Sequence, residues 1–146
     1  MIEIKRTNGI NFITLYKDLV AEGVDFTTLD TTPYMLLTAQ GVNKCVVPVN
    51  IIIDYNSTGF TSEYYIYSDG SLNLGESMFK FWNQVVAPTA SGILVLPNFL
   101  TVTSNDVPIN NILNSPIFLG SGQPTSLSNF SRFRIYFTYY IQNLVP

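Results

Sequence analysis

A chain of 146 residues suits one domain with a substantial core, but only 12% of it is charged, against 47% hydrophobic and 14% aromatic, with a net charge of −3. An average soluble domain carries about 25% charge, so a free monomer with this exterior would be poorly dispersed, and copies or neighbours are expected to cover it. The seven Lys and Arg form no basic run, which excludes a phosphate-tracking nucleic-acid surface; no apolar run reaches the ~20 residues of a membrane-spanning helix.

The absence of histidine removes a Ser-His-Asp triad, a Cys-His pair and a His-based zinc site from this chain. The single cysteine, Cys45, excludes an intrachain disulfide, and its place among valines predicts a reduced core residue. The start, MIEIKRTNG, has no apolar h-region, so no secretory signal is expected.

In chain order, Ile2 and Ile4 alternate with Glu3 and Lys5, and Asn8-Gly9 follows. Asn-Gly tolerates positive φ at both positions and signals a hairpin, or an arm that pairs elsewhere. Phe12, Leu15, Tyr16, Leu19 and Val20 then recur at three- and four-residue steps and Gly23 supplies a stop, which predicts one short helix over roughly Ile13 to Glu22. Its polar face lacks a Lys/Arg cluster, so packing on a sheet or a neighbouring subunit is expected rather than a membrane surface. Residues 1–30 therefore read as an N-terminal arm with a short helix, and 31–146 as a β domain.

Phe26 to Thr32 reads as a connector, followed by strands at Tyr34 to Thr38 and Lys44 to Tyr55, the latter with a bulge, edge or break at Pro48. Asn56 to Gly59 reads as a turn. Glu63 to Tyr67 and Ser71 to Leu74 flank the hairpin signal Asp69-Gly70, and Met78 to Val86 alternates as a strand. After a break at Pro88 to Gly92 come short strands at Ile93 to Leu96 and Phe99 to Thr103, a loop at Asn105 to Ser115, a strand at Pro116 to Leu119, and a Gly/Ser-rich loop at Gly120 to Asn129.

The last long strand, Arg132 to Ile141, organises the rest. Phe133, Ile135, Phe137, Tyr139 and Ile141 fall on one side, and Arg132, Arg134, Tyr136, Thr138 and Tyr140 on the other. Strict alternation of β-branched and aromatic residues marks a half-buried strand. Short strands with turn signals every ~8–12 residues predict an all-β fold, an antiparallel β-sandwich of jelly-roll type with this strand central.

Constellations that carry chemistry are weak. Asp54, Asn56, Thr58 and Gly59 open like a calcium loop, but Tyr65 stands where the bidentate glutamate belongs. The ten acids (among them Asp18, Asp54, Glu63 and Asp106) are scattered, and no pair stands out for glycoside chemistry. Gly120-Ser121-Gly122-Gln123 has no following lysine for a phosphate loop. No catalytic residue, metal ligand or cofactor site is expected. Arg132, Arg134, Tyr136 and Tyr140 share a face and are the candidate interface residues, since Tyr and Arg are favoured in interface cores. The rival from another class is a carbohydrate- or receptor-binding module using exposed rings, Trp82 or the tyrosines.

Beyond composition, a series of landmarks runs from Thr32 onward: Thr32-Pro33 with Tyr34-Met35-Leu36-Leu37; Gly41, Lys44 and Val47-Pro48 leading into Ile51-Ile52-Ile53-Asp54-Tyr55; Asn114-Ser115-Pro116-Ile117-Phe118-Leu119; Gln123-Pro124-Thr125; and Arg134 to Ile141. In order and spacing the series resembles a family of small bacteriophage virion-associated proteins. The resemblance implies a non-enzymatic β-sandwich component of the virion, made in the host bacterial cytoplasm: a capsid decoration or head fibre, or a connector or tail protein. The partners implied are itself, as a trimer or ring, and other virion proteins.

Overall fold

The computed structural model describes residues 1–59, 64–68, 77–81, 91–97, 114–122 and 129–144. These hold the strands β1 (Ile2–Thr7), β2 (Ile10–Asp18), β3 (Tyr34–Leu37), β4 (Lys44–Gly59), β5 (Tyr64–Ser68), β6 (Ser77–Phe81), β7 (Ser91–Pro97), β8 (Ile117–Ser121) and β9 (Asn129–Asn143), with a short 3-10 turn at Phe26–Thr28. All pairings are antiparallel. One sheet runs β1-β2-β9-β4-β7 and the other β3-β8-β5-β6. The Asp69-Gly70 turn, Trp82, the strand expected at Phe99 to Thr103 and the landmark Gln123-Pro124-Thr125 lie outside the described residues.

β9 is the middle strand of its sheet, as its alternation predicts. Phe133, Ile135 and Phe137 are fully buried, and Tyr139 almost so. These join Leu15, Ile51 and Ile53 from the same sheet and Leu36, Tyr64, Ile66, Ile117 and Leu119 from the other in one hydrophobic cluster. One part of it is aromatic. Phe133 lies 5.0 Å from Phe26, 4.9 Å from Phe130 and 6.3 Å from Tyr64 between ring centroids, tying β9 to the 3-10 turn and to the second sheet. Phe130 and Phe133 are three residues apart, so simple alternation would oppose them. The register shifts around Ser57, where β4 pairs β9, lie beside Phe130 and absorb the extra residue.

Pro48 sits at a register shift between Pro48 and Asn50, the irregularity expected of a residue without a backbone donor. Among the described residues β7 pairs β4 only from Asn50 onward, so there Pro48 has a strand partner on the β9 side alone. Cys45 is free and buried, and burial pushes its thiol up, which leaves it protonated and unreactive at neutral pH.

Three expectations are corrected. The helix over Ile13 to Glu22 is strand β2 for most of its length. Asn8 and Gly9 both take positive φ (50° and 80°), as a type I′ hairpin requires, and commit Ile10 onward to pairing with β1. The apparent helical stripe then divides: Leu15 and Leu19 enter the core, while Phe12 and Tyr16 lie against Tyr140 and Tyr136 on the outer face. The stop signal is nevertheless real. Val24 N–H donates to Leu19 O and Gly23 N–H to Val20 O, both at 3.0 Å, with Gly23 at φ +73°: a Schellman closure on a single turn. Second, Asn56 to Gly59 is not a turn but the end of β4, held by β9. Third, residues 1–30 are no separate arm, because β2 pairs β9 and Leu15, Leu19, Phe26 and Leu29 belong to the common core.

Gly120 shows how closely the second sheet is packed. A Cβ there would lie 2.9 Å from Cε1 of Tyr67 and 3.3 Å from the Leu29 carbonyl oxygen. Both neighbours are buried, so neither yields easily. Gly120→Ala should lower stability by about 1–3 kcal/mol through overpacking; an unchanged urea midpoint would contradict this packing.

Candidate interaction face

Whatever does not enter the core from β2, β9, β4 and β7 lies on the outer face of the five-stranded sheet, and cross-strand register arranges it in rows. Asp18, Arg134, Asp54 and Ile93 form one row; Tyr16, Tyr136, Ile52 and Val95 form the next. Thr14, Thr138 and Asn50 follow, with Thr14 Oγ1 and Thr138 Oγ1 hydrogen-bonded at 2.9 Å. Phe12 meets Tyr140 edge-on, their ring centroids 5.9 Å apart.

The charged end is a chain of ion pairs. Arg134 Nε donates to Asp18 Oδ2 at 3.0 Å, Arg132 Nε donates to Asp54 Oδ1 at 3.0 Å, and Arg134 Nη1 lies 3.9 Å from Asp54 Oδ2. Asp18 also accepts from the Ala21 N–H through Oδ1 at 3.2 Å, which caps the turn that follows β2. The bond from Arg134, then the Ala21 amide, holds the Asp18 carboxyl below the usual carboxylate range. Such a group stays ionised at neutral pH, which suits a fixed counter-ion and not a proton donor.

The β7 side of the face and the row beside the charged one are open. Ile93 is 70% exposed, Val95 57% and Tyr136 36%. The Tyr16 and Tyr136 rings lie 5.0 Å apart and tilted by 48°. All four residues singled out from the sequence, Arg132, Arg134, Tyr136 and Tyr140, are on this face. Sequence reasoning missed Asp18, which it placed in a helix; Tyr16, for the same reason; and Asp54, which it placed in the strand Lys44 to Tyr55 and weighed only as a calcium ligand. Period-2 counting from the Asn-Gly turn would have put Phe12, Thr14, Tyr16 and Asp18 on one side.

Other chemistry finds little support among the described residues. Asp18 and Asp54 do converge, but on Arg134 and on an open sheet face. No group of three or more Cys, Asp or Glu is placed to hold a metal ion, and Asp54 and Asn56 lie in a paired strand. Gly120 and Ser121 are in β8, not in a phosphate-cradling loop. No helix is long and apolar enough to cross a membrane. A shallow groove of about 250 Å³ between Gly9, Ile10, Asn11 and Tyr140 to Gln142 carries no ionisable carboxyl. Comparison of the chain with protein-family models, with curated proteins and with solved structures returns no match.

The lowered Asp18 value sets a pH dependence. A carboxylate depressed in the folded state stabilises it above the ordinary carboxylate pKa of about 3.9 and loses that contribution as pH falls through the folded value. Asp18→Asn should therefore melt below wild type at neutral pH, and the gap should close in acid below pH ~4. A gap that stays constant down to that region would show that the Arg134 contact does not hold the carboxylate.

Proposed function

We propose that the protein is a non-enzymatic structural component of a bacteriophage particle, a capsid decoration, head-fibre, connector or tail protein that works by subunit packing. On this reading the two sheets form a jelly-roll-like β-sandwich subunit, and copies assemble as a trimer or ring on other virion proteins. The observation that carries the self-association is the outer face: Tyr136, Ile93 and Val95 are exposed beside half-buried Tyr16 and Ile52, on a chain with 12% charged residues. Contiguous exposed apolar surface of this kind marks an interaction site. The assignment to a phage particle rests on the landmark series from Thr32 to Ile141 alone.

The carbohydrate-binding alternative has the exposed Tyr136 beside half-buried Tyr16 in its favour, but the two rings are inclined to each other by 48° and offer no single flat platform to a sugar ring.

Sedimentation velocity tests the reading. Wild-type protein should associate at micromolar concentration, and Tyr136→Ala should weaken the association by roughly tenfold, about the effect of removing an interface anchor. A wild type that stays monomeric and is missing from purified particles would contradict it. Monomers that bind specifically on a glycan array would favour the carbohydrate module.

A further inference from the structure

Among the described residues β1 ends its sheet, and every one of its residues is exposed. The hairpin determines which backbone groups face outward. Its two-residue loop makes Thr7 and Ile10 a hydrogen-bonded pair, and in an antiparallel ladder the bonded pairs alternate, so Lys5–Phe12 and Glu3–Thr14 are bonded too. The Tyr16 N–H donates to the Met1 carbonyl at 2.9 Å, which continues the same phase. Met1, Glu3, Lys5 and Thr7 thus direct their backbone groups into β2, and Ile2, Ile4 and Arg6 direct theirs outward.

An open row of donors and acceptors is a template for another strand, and native edges are commonly blunted by a proline, a bulge or charged side chains, of which β1 has Glu3, Lys5 and Arg6. β1 has no proline, and its ladder with β2 runs without a register shift. Ile2 and Ile4 lie on the core side of the sheet, opposite Leu15 and Ile13, yet remain 59% and 65% exposed. Glu3 and Lys5 lie on the other side, and no ion pair among the described residues uses either one.

Building on the self-association proposed above, we infer that β1 pairs antiparallel with β1 of a second copy, about a two-fold axis at Ile4. The two five-stranded sheets then become one continuous sheet. Charge complementarity selects both the occupant and the register. Pairing that brings the outward backbone groups together can be centred on Glu3, Ile4 or Lys5. Centring on Glu3 sets Glu3 against its own copy, and centring on Lys5 sets Lys5 against its own. Centring on Ile4 sets Glu3 opposite Lys5 twice, Ile4 opposite Ile4, and Ile2 opposite the aliphatic stem of Arg6. Directly opposed like charges destabilise a strand pair and opposite charges stabilise it, so this segment is complementary to itself in that register alone.

The test uses full-length chains, with circular dichroism confirming that each variant folds. Glu3→Lys and Lys5→Glu should each weaken association by roughly tenfold or more, because each turns both axial ion pairs into like-charge pairs. An equimolar mixture of the two variants should regain wild-type association, since every cross-axis pair is again of opposite sign. Ile4→Pro removes the outward N–H at the axis and leaves the β1–β2 ladder intact, and it should abolish the pairing. Variants that associate as wild type does, or single variants whose mixture fails to recover, would overturn the β1 pairing while self-association through the sheet face stands. A wild type that is monomeric at every concentration would overturn both.

Discussion

β9 lies between two partners from Arg134 to Tyr139, and the rest of the molecule depends on that. Six of its 15 residues pair β2 on one side, and β4 pairs the other side from Asn129 to Asn143, so its register sets theirs. Because side chains alternate, one strand divides the sheet into a core side of Phe133, Ile135, Phe137 and Tyr139 and an outer side of Arg132, Arg134, Tyr136 and Tyr140. A slip of one residue would place arginines in the core and phenylalanines in solvent, so burial specifies the register strongly. The same constraint makes the outer face a product of the core: each inward residue of β9 places an outward one beside counterparts on β2 and β4.

On β2, β9 and β4 the charges of this face are gathered in one place. Asp18, Arg134, Asp54 and Arg132 connect β2, β9 and β4 at one end, and little charge is left for the rows of Tyr16 and Tyr136. Exposed ion pairs of this type are individually worth only about 0–1 kcal/mol. Their contribution is better understood as positional: the arginines hold the carboxylates in line with the strands, and the neighbouring tyrosine and aliphatic side chains are left as an apolar surface. In a chain with so few ions, that surface and the open β1 edge are the parts of the exterior least suited to water.

Most of the strand pattern was legible because the strands obey period 2 and their ends carry turn chemistry. The Asn8-Gly9 hairpin, the disturbance at Pro48 and the two sides of β9 each follow from one local rule. The residues from Phe12 to Val20 did not yield to such a rule. Leu15 and Leu19 suit the core stripe of a helix, and Gly23 does close a helical turn, yet the β9 ladder had the stronger claim on Ile10 to Asp18. Short apolar runs are ambiguous between the two periods, and here tertiary pairing decided. The interface candidates on β9 were readable from that strand alone. Their partners Asp18, Asp54 and Tyr16 were not, because only the pairing of distant strands brings them into one row.

An exterior with this distribution of polar and apolar groups is consistent with a subunit whose neighbours complete it. The most direct measurement is hydroxyl-radical footprinting of Tyr16, Tyr136, Tyr140, Ile93 and Val95 over a concentration series. The account predicts that modification of these side chains falls as concentration rises, while exposed residues away from the outer face and from β1, such as Val42, are modified equally throughout. Modification of the outer-face residues that stays the same at every concentration would contradict it.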